Sequence, residues 1–160
     1  MVEAALSVEG VWKSLESVKD PEIPALSIVD LKVVRGVTVQ GESATVDITP
    51  TFVGCPALEM IAELIRENLH SAGFRNVVVN KTYVAQWSTD LLDATARDKL
   101  EGFGIAPPTR SAEVSLELPT PCPYCRSSDT RLESAFGATL CKQLYYCNTC
   151  RQSFEKFRTL

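Results

Sequence analysis

The chain carries a single histidine in 160 residues. Histidine-based hydrolysis is therefore poorly supported, and neither a Ser-His-Asp pattern nor a glycine-rich phosphate loop is visible. Long hydrophobic runs are also missing, and no segment approaches the roughly 18–20 apolar residues of a membrane span. Basic residues are not in surplus. A formal net charge of −4 and a pI of about 5.1 argue against a whole-molecule nucleic-acid or membrane binder held by charge. The opening MVEAALSVEG carries acids rather than a basic region followed by a hydrophobic stretch, so no signal peptide is expected. Charged residues make up 22% and hydrophobic residues 45%, which excludes global disorder and allows a real core. These absences lead to the expectation of a soluble, cytoplasmic protein with no membrane partner.

Cysteine is scarce over most of the length and then concentrated. Cys55 stands alone in the first 121 residues, whereas Cys122, Cys125, Cys141, Cys147 and Cys150 crowd the last 39. A disulfide framework needs an oxidising compartment, which nothing here suggests, so metal or redox chemistry leads. The charge divides at the same place: residues 1–118 carry a net −7 and residues 119–160 a net +3. Between them, Pro107, Pro108, Pro119 and Pro121 read as a stiff, extended connector. The expected domains are 1–106, a proline-rich linker at 107–120, and a metal module at 121–160.

The first part mixes helix and strand. Val8, Val11, Trp12, Leu15 and Val18 follow helical spacing until Asp20-Pro21 stops them. Leu31–Val39 is rich in β-branched residues, Gln40-Gly41-Glu42 is a turn, and Ala44–Thr51 alternates, which together predict a hairpin. Pro56 opens a helix whose apolar stripe is Leu58, Ile61, Ala62, Ile65, Leu69 and Ala72, with Gly73 as its stop. Asn76–Ala85 reads as a third strand. Thr89–Gly102 reads as a last helix, capped by Ser88 or Thr89. This order predicts an α+β fold, with helices on one face of a small mixed sheet, followed by a small β ribbon.

Cys122-Pro-Tyr-Cys125 and Cys147-Asn-Thr-Cys150 are two C-x-x-C pairs separated by 21 residues. Two such turns supply four sulfurs for tetrahedral zinc at about 2.3 Å; iron in the same site is the competing reading. Thr130–Ala135, Leu140–Tyr146 and Gln152–Phe157 read as the ribbon strands, the first two joined at Gly137. So short a module has little core, and metal binding would supply folding energy. Cys-Pro-Tyr-Cys is also a dithiol redox motif. That chemistry needs a helix after the first cysteine, and Arg126-Ser-Ser-Asp-Thr starts one poorly. Cys141 is expected to be a buried bystander on the second ribbon strand. The mix of Arg126, Arg131, Lys142, Arg151, Lys156 and Arg158 with Tyr145, Tyr146, Phe154 and Phe157 raises a nucleic-acid-binding ribbon as an alternative. We prefer to read the aromatics as the small core and the charges as its solvated face.

Thr51-Phe-Val-Gly-Cys55-Pro56 joins a strand to the long helix. With Pro56 as first helical residue, Cys55 is expected at the N-cap, where unpaired N–H groups favour a thiolate. Such a thiolate suits metal ligation, Fe–S handling or nucleophilic attack; a buried structural thiol is the alternative. Asp20 and Glu22, in a proline-stiffened loop, offer carboxylates to this site or simply end the first helix. His70 falls near the end of the long helix and is expected to cap it. Glu67-Asn-Leu-His70 reads E-x-x-H, but a carboxylate-bridged di-iron centre uses two such motifs on a helical bundle, and only one is here.

Asp20-Pro-Glu-Ile-Pro-Ala-Leu-Ser-Ile-Val-Asp30 and Thr49-Pro-Thr-Phe-Val-Gly-Cys-Pro56 resemble the two motifs of the Fe–S assembly domain family, over about residues 8–105. The added ribbon and Phe103-Gly-Ile-Ala-Pro-Pro108 resemble the PaaD family, encoded with the phenylacetyl-CoA epoxidase system of aerobic phenylacetate degradation. The resemblance implies that Cys55 holds iron or an Fe–S cluster transiently, with Asp20, Glu22 and Thr51 shaping the site. It implies a non-catalytic accessory subunit that matures or maintains metal centres belonging to the oxygenase and reductase subunits, which are its expected partners. Because one chain offers one such cysteine, a homodimer could share the site. A scaffold that merely docks oxygenase to reductase is the second reading. One departure is Lys32, where many family members have glycine.

Overall fold

Among the described residues, Ser7 caps the first helix, its hydroxyl accepting the Gly10 N–H at 3.0 Å. The coordinates are a computed structural model and describe residues 6–52, 54–84, 86–110 and 119–160. Contacts divide the chain into two units, residues 1–87 and 88–160. Among the described residues, no helix is long and apolar enough to cross a membrane.

In the first unit, α1 (Val8–Leu15) buries Val11 and Leu15. It ends before Val18, which is buried from the following loop. Strands β1 (Val34–Gln40) and β2 (Ser43–Ile48) form the expected antiparallel hairpin, turning at Gly41 with φ +58°. Helix α2 (Ala57–Ser71) crosses over to β3 (Asn76–Lys81), which pairs parallel with β2 from Ser43↔Asn76 to Ile48↔Lys81. The result is a mixed sheet in the order β1-β2-β3. Ala44, Val46 and Ile48 alternate along β2 and are all buried, and α1 and α2 pack on each other and on the sheet. α2 stops in a Schellman turn: Phe74 N–H donates to Leu69 O and Gly73 N–H to His70 O, with Gly73 at φ +107°. His70 Nδ1 donates to Phe74 O at 2.9 Å, the helix-end role expected of it.

The loop from Asp20 to Lys32 is fixed by its own polar atoms. Asp20 Oδ1 accepts from the N–H groups of Glu22 and Ile23 at 2.8 and 2.7 Å. Ser27 and Asp30 bond reciprocally, each backbone N–H donating to the other's side chain at 3.0 Å. Lys32 closes the loop at φ +57°, a left-handed conformation that glycine adopts without strain. Trp87 anchors the result by donating from Nε1 to Leu31 O at 2.7 Å.

The second unit begins earlier than the sequence suggests. The expected helix over 89–102 is two pieces: a 3₁₀ turn (Thr89–Leu91) capped by Ser88, and α3 (Ala94–Gly102) capped by Asp93, whose carboxylate accepts from Ala96 N–H at 2.9 Å. Leu92 and Asp93 are extended between them. The left-handed residue after α3 is Gly104 at φ +82°, and a Cβ there would lie 3.0 Å from the Tyr124 hydroxyl. Strand β4 (Ile105–Ala106) then adds in parallel to the ribbon, giving the order β4-β7-β6-β5. β5 (Thr130–Ser134), β6 (Lys142–Cys147) and β7 (Ser153–Phe157) are antiparallel neighbours close to their predicted positions.

Residues 88–106, assigned from sequence to the first domain, thus belong with the cysteines. Leu92, Ala96, Leu100, Ile105 and Ala106 are all buried. Arg97 ties the segment together: its guanidinium donates to the carbonyls of Leu92, Thr89 and Pro108. Of the four prolines, Pro108 is buried and Pro107 half-buried, Pro119 and Pro121 are exposed, and residues 111–118 of the expected linker lie outside the described residues. Phe154 and Phe157 are core, and Tyr145 stacks on Phe154 at 5.7 Å. Lys142 is buried against Glu155 at 2.8 Å, Arg126 pairs with Glu101, and Arg158 lies over the Phe136 ring. Much of the basic and aromatic mix is therefore spent inside the unit.

Candidate functional site

The two C-x-x-C turns are built alike. Arg126 N–H donates to Cys122 O and Arg151 N–H to Cys147 O, both at 2.9 Å. Cys122 N–H donates to Ser127 O and Cys147 N–H to Gln152 O, again at 2.9 Å. Arg126 and Arg151, each following the second cysteine of its pair, sit at φ +66° and +60°. This left-handed step turns the chain back, so that both thiols of a pair point the same way. Ser127 and Thr149 join the two turns through a hydroxyl bond of 2.7 Å.

The four sulfurs of Cys122, Cys125, Cys147 and Cys150 all lie within 4.8 Å of one another. Two edges measure 3.7 Å (Cys122–Cys150) and 3.6 Å (Cys125–Cys147). A tetrahedral ion with bonds of about 2.3 Å needs edges of about 3.8 Å, so the donor set fits. The Cys150 N–H lowers the Cys147 thiol to about 7, whereas burial pushes Cys150 up to about 12. Four thiols so close cannot all ionise without a cation, and a bound divalent ion reverses that penalty. The surrounding core is small: Ala106, Cys122, Cys147 and Phe154, with Tyr145 and Cys150 against it. Cys141 is buried outside the set, 3.1 Å from the Thr139 hydroxyl. This is a metal-binding site made entirely by the second unit.

In the first unit the structure brings Cys55, Thr51, Asp20 and Glu22 to one place. Thr49 N–H donates to Val33 O, fixing the end of β2. The chain turns at Gly54, φ +80°, and enters α2 through Cys55 and Pro56. Pro56 already has helical angles, φ −69° and ψ −22°, so by backbone conformation it is the first helical residue. Cys55 stands at the cap position before it, and its carbonyl accepts the Leu58 N–H at 3.3 Å. Its sulfur still receives the Ala57 N–H, and the Thr51 hydroxyl bonds to it.

The expected thiolate does not follow. Burial raises the Cys55 thiol above its ordinary value, the Ala57 N–H opposes this, Glu22 raises it further, Thr51 opposes, and Asp20 adds to the rise. Desolvation and two carboxylates outweigh the helix end. Acids that penalise a thiolate also attract a cation, so the setting suits holding a metal ion better than nucleophilic attack. Sequence reasoning named these four residues. It missed the local clamping role of Asp20, although an aspartate two residues before a backbone N–H signals that kind of turn.

Residues 9–80 match the iron-sulfur cluster assembly protein family, and residues 106–158 match the PaaD zinc beta ribbon domain. A protein of Escherichia coli (strain K12), provisionally named as the D component of 1,2-phenylacetyl-CoA epoxidase, is 42% identical over 154 residues, 96% of this chain and 93% of that protein. An Fe-S protein maturation auxiliary factor of Porphyromonas gingivalis (strain ATCC BAA-308 / W83) is 33% identical over 97 residues, 59% of this chain and 90% of that one. Among solved structures, a domain of unknown function from Bacillus anthracis covers 58% of this chain and 90% of its own, at 27% identity and TM-score 0.54. A conserved hypothetical protein from Thermotoga maritima covers 59% and 93%, at 27% identity and TM-score 0.51.

Proposed function

Since the chain belongs to the family of phenylacetyl-CoA epoxidase D components, with an iron-sulfur cluster assembly domain ahead of a PaaD zinc ribbon, we propose that it is a non-catalytic accessory subunit that delivers or restores iron or Fe–S centres for the oxygenase and reductase of such a system. The observation that carries this reading is the acidic setting of Cys55. A half-buried thiol flanked by Glu22 and Asp20, with the Thr51 hydroxyl on its sulfur, favours a cation over a free thiolate. The iron or cluster is cargo here. Cys55 binds it, Glu22 and Asp20 draw it in, and Thr51 orients the sulfur. Because the described residues offer no second thiol beside Cys55 in the first unit, a second copy of the chain supplies the other ligand when a cluster is held.

The four-cysteine site is assigned to zinc in a structural role, since all its positions are filled by protein sulfur and no ligand position is left open. The protein works in the cytoplasm, beside the subunits it serves.

The test is Cys55→Ala co-expressed with oxygenase and reductase subunits. Loss of their iron and activity is expected, with zinc at the ribbon unchanged. Full iron loading and activity would reject the reading. A scaffold role is the second reading, favoured because Asp20 Oδ1 is already engaged by its own loop. Cys55→Ala with normal loading, together with failed subunit assembly after deletion of residues 119–160, would establish it.

A further inference from the structure

A cleft of about 340 Å³ opens within the second unit, and no cysteine lines it. Pro107, Pro108, Pro119 and Pro121 form its walls. Lys156, only 7% exposed, forms its charged end. The ammonium donates to Thr109 Oγ1 at 2.7 Å and Thr120 Oγ1 at 2.9 Å, and lies 5.6 Å from the centre of the Tyr145 ring.

Among the described residues, no carboxylate lies within ion-pair distance of Lys156. Glu101 also lines the cleft but is held by Arg126, and the adjacent Glu155 is held by Lys142. Burial accordingly lowers the affinity of Lys156 for its proton. An ammonium has three N–H donors, and the threonines take two. Each threonine hydroxyl, having accepted from Lys156, keeps its own proton to donate. The site thus converges three donors and one positive charge on one end of an apolar slot. Proline walls have no N–H groups to offer, so a multiply charged phosphate would be left short of partners.

We propose that this cleft binds a small monocarboxylate with a compact apolar body, its carboxylate on Lys156, Thr109 and Thr120 and its body between the prolines. The pairing gives a buried cation that has no ion pair among the described residues a hydrogen-bonded counter-charge. Clefts of this size lie at the lower end of the range for small-molecule sites.

The probes are benzoate and inorganic phosphate, titrated into the full-length, metal-loaded protein and followed by calorimetry and by the methyl NMR signals of Thr109 and Thr120. Saturable one-to-one binding of benzoate is expected, with both methyl signals moving and no comparable response to phosphate. Lys156→Met should weaken benzoate by about tenfold or more, the usual worth of a charged hydrogen bond. Retained metal in the variant shows that the unit is folded; if metal is lost, the wild-type methyl shifts decide. Absence of saturable binding, equal binding by folded Lys156→Met, or shifts confined to residues away from the cleft would overturn the proposal, as would phosphate binding as tightly as benzoate.

Discussion

Removing the metal from the second unit should unfold its strands and leave the first unit intact. The packing around the sulfurs is slight, and two of the four fully packed residues there are ligands themselves. Phe154 and Phe157 each contribute about 1.5–3 kcal/mol of burial. A four-sulfur structural ion supplies about 10–16 kcal/mol, several times the burial of either ring. The sequence provides a clean readout. Its two tryptophans, Trp12 and Trp87, and the exposed Tyr83 fall in residues 1–87, whereas the other three tyrosines, Tyr124, Tyr145 and Tyr146, fall in residues 88–160. A strong chelator at neutral pH should remove the near-ultraviolet dichroism of those three tyrosines and the amide protection in β5, β6 and β7, while tryptophan emission stays constant. Persistent strand protection after complete metal removal would refute the argument. A tryptophan shift in step with the tyrosine change would show that the units unfold together.

Three further outcomes follow from the geometry. Cys55 is neutral more readily in the folded state than at its ordinary 9.0, so stability present below that pH should decline as pH rises through the folded value; Cys55→Ala should flatten this alkaline decline in tryptophan-monitored urea unfolding. Lys32→Gly relieves a left-handed lysine at φ +57° and should raise the first unit's stability by up to about 1 kcal/mol after glycine's added unfolded-state freedom; a clear loss would mean the lysine side chain matters more than the backbone. Arg97→Met removes donors from three carbonyls and should cost about 2–4 kcal/mol, seen as faster hydrogen exchange across α3 and β4 with metal content unchanged.

The strands β1 and β2 and the long helix α2 were legible because their patterns are local: alternation, a glycine turn, and a proline-to-glycine helical stripe. The four ligands were legible because C-x-x-C spacing encodes a turn whatever surrounds it. The boundary between units was not. β4 has only two residues, too few to show a period, and it joins the ribbon through pairing with Glu155 and Lys156 some fifty positions away. Proline density at 107–121 signalled a spacer but could not show that Pro108 would be buried. The break at Leu92-Asp93 was hidden by a helical composition on both sides. At Cys55 the sequence named the neighbours but not the sign of their effect, which depends on burial.

The contact between Thr89 and Leu160 closes the second unit on itself: the backbone N–H of Thr89 donates to Leu160 O, and the Leu160 N–H returns to Thr89 Oγ1. Thr89 and Leu160 are therefore neighbours although 71 positions separate them. Any chain grown from Leu160 starts beside the capped turn Thr89–Leu91, so a bulky extension there should show first as faster hydrogen exchange at Thr89.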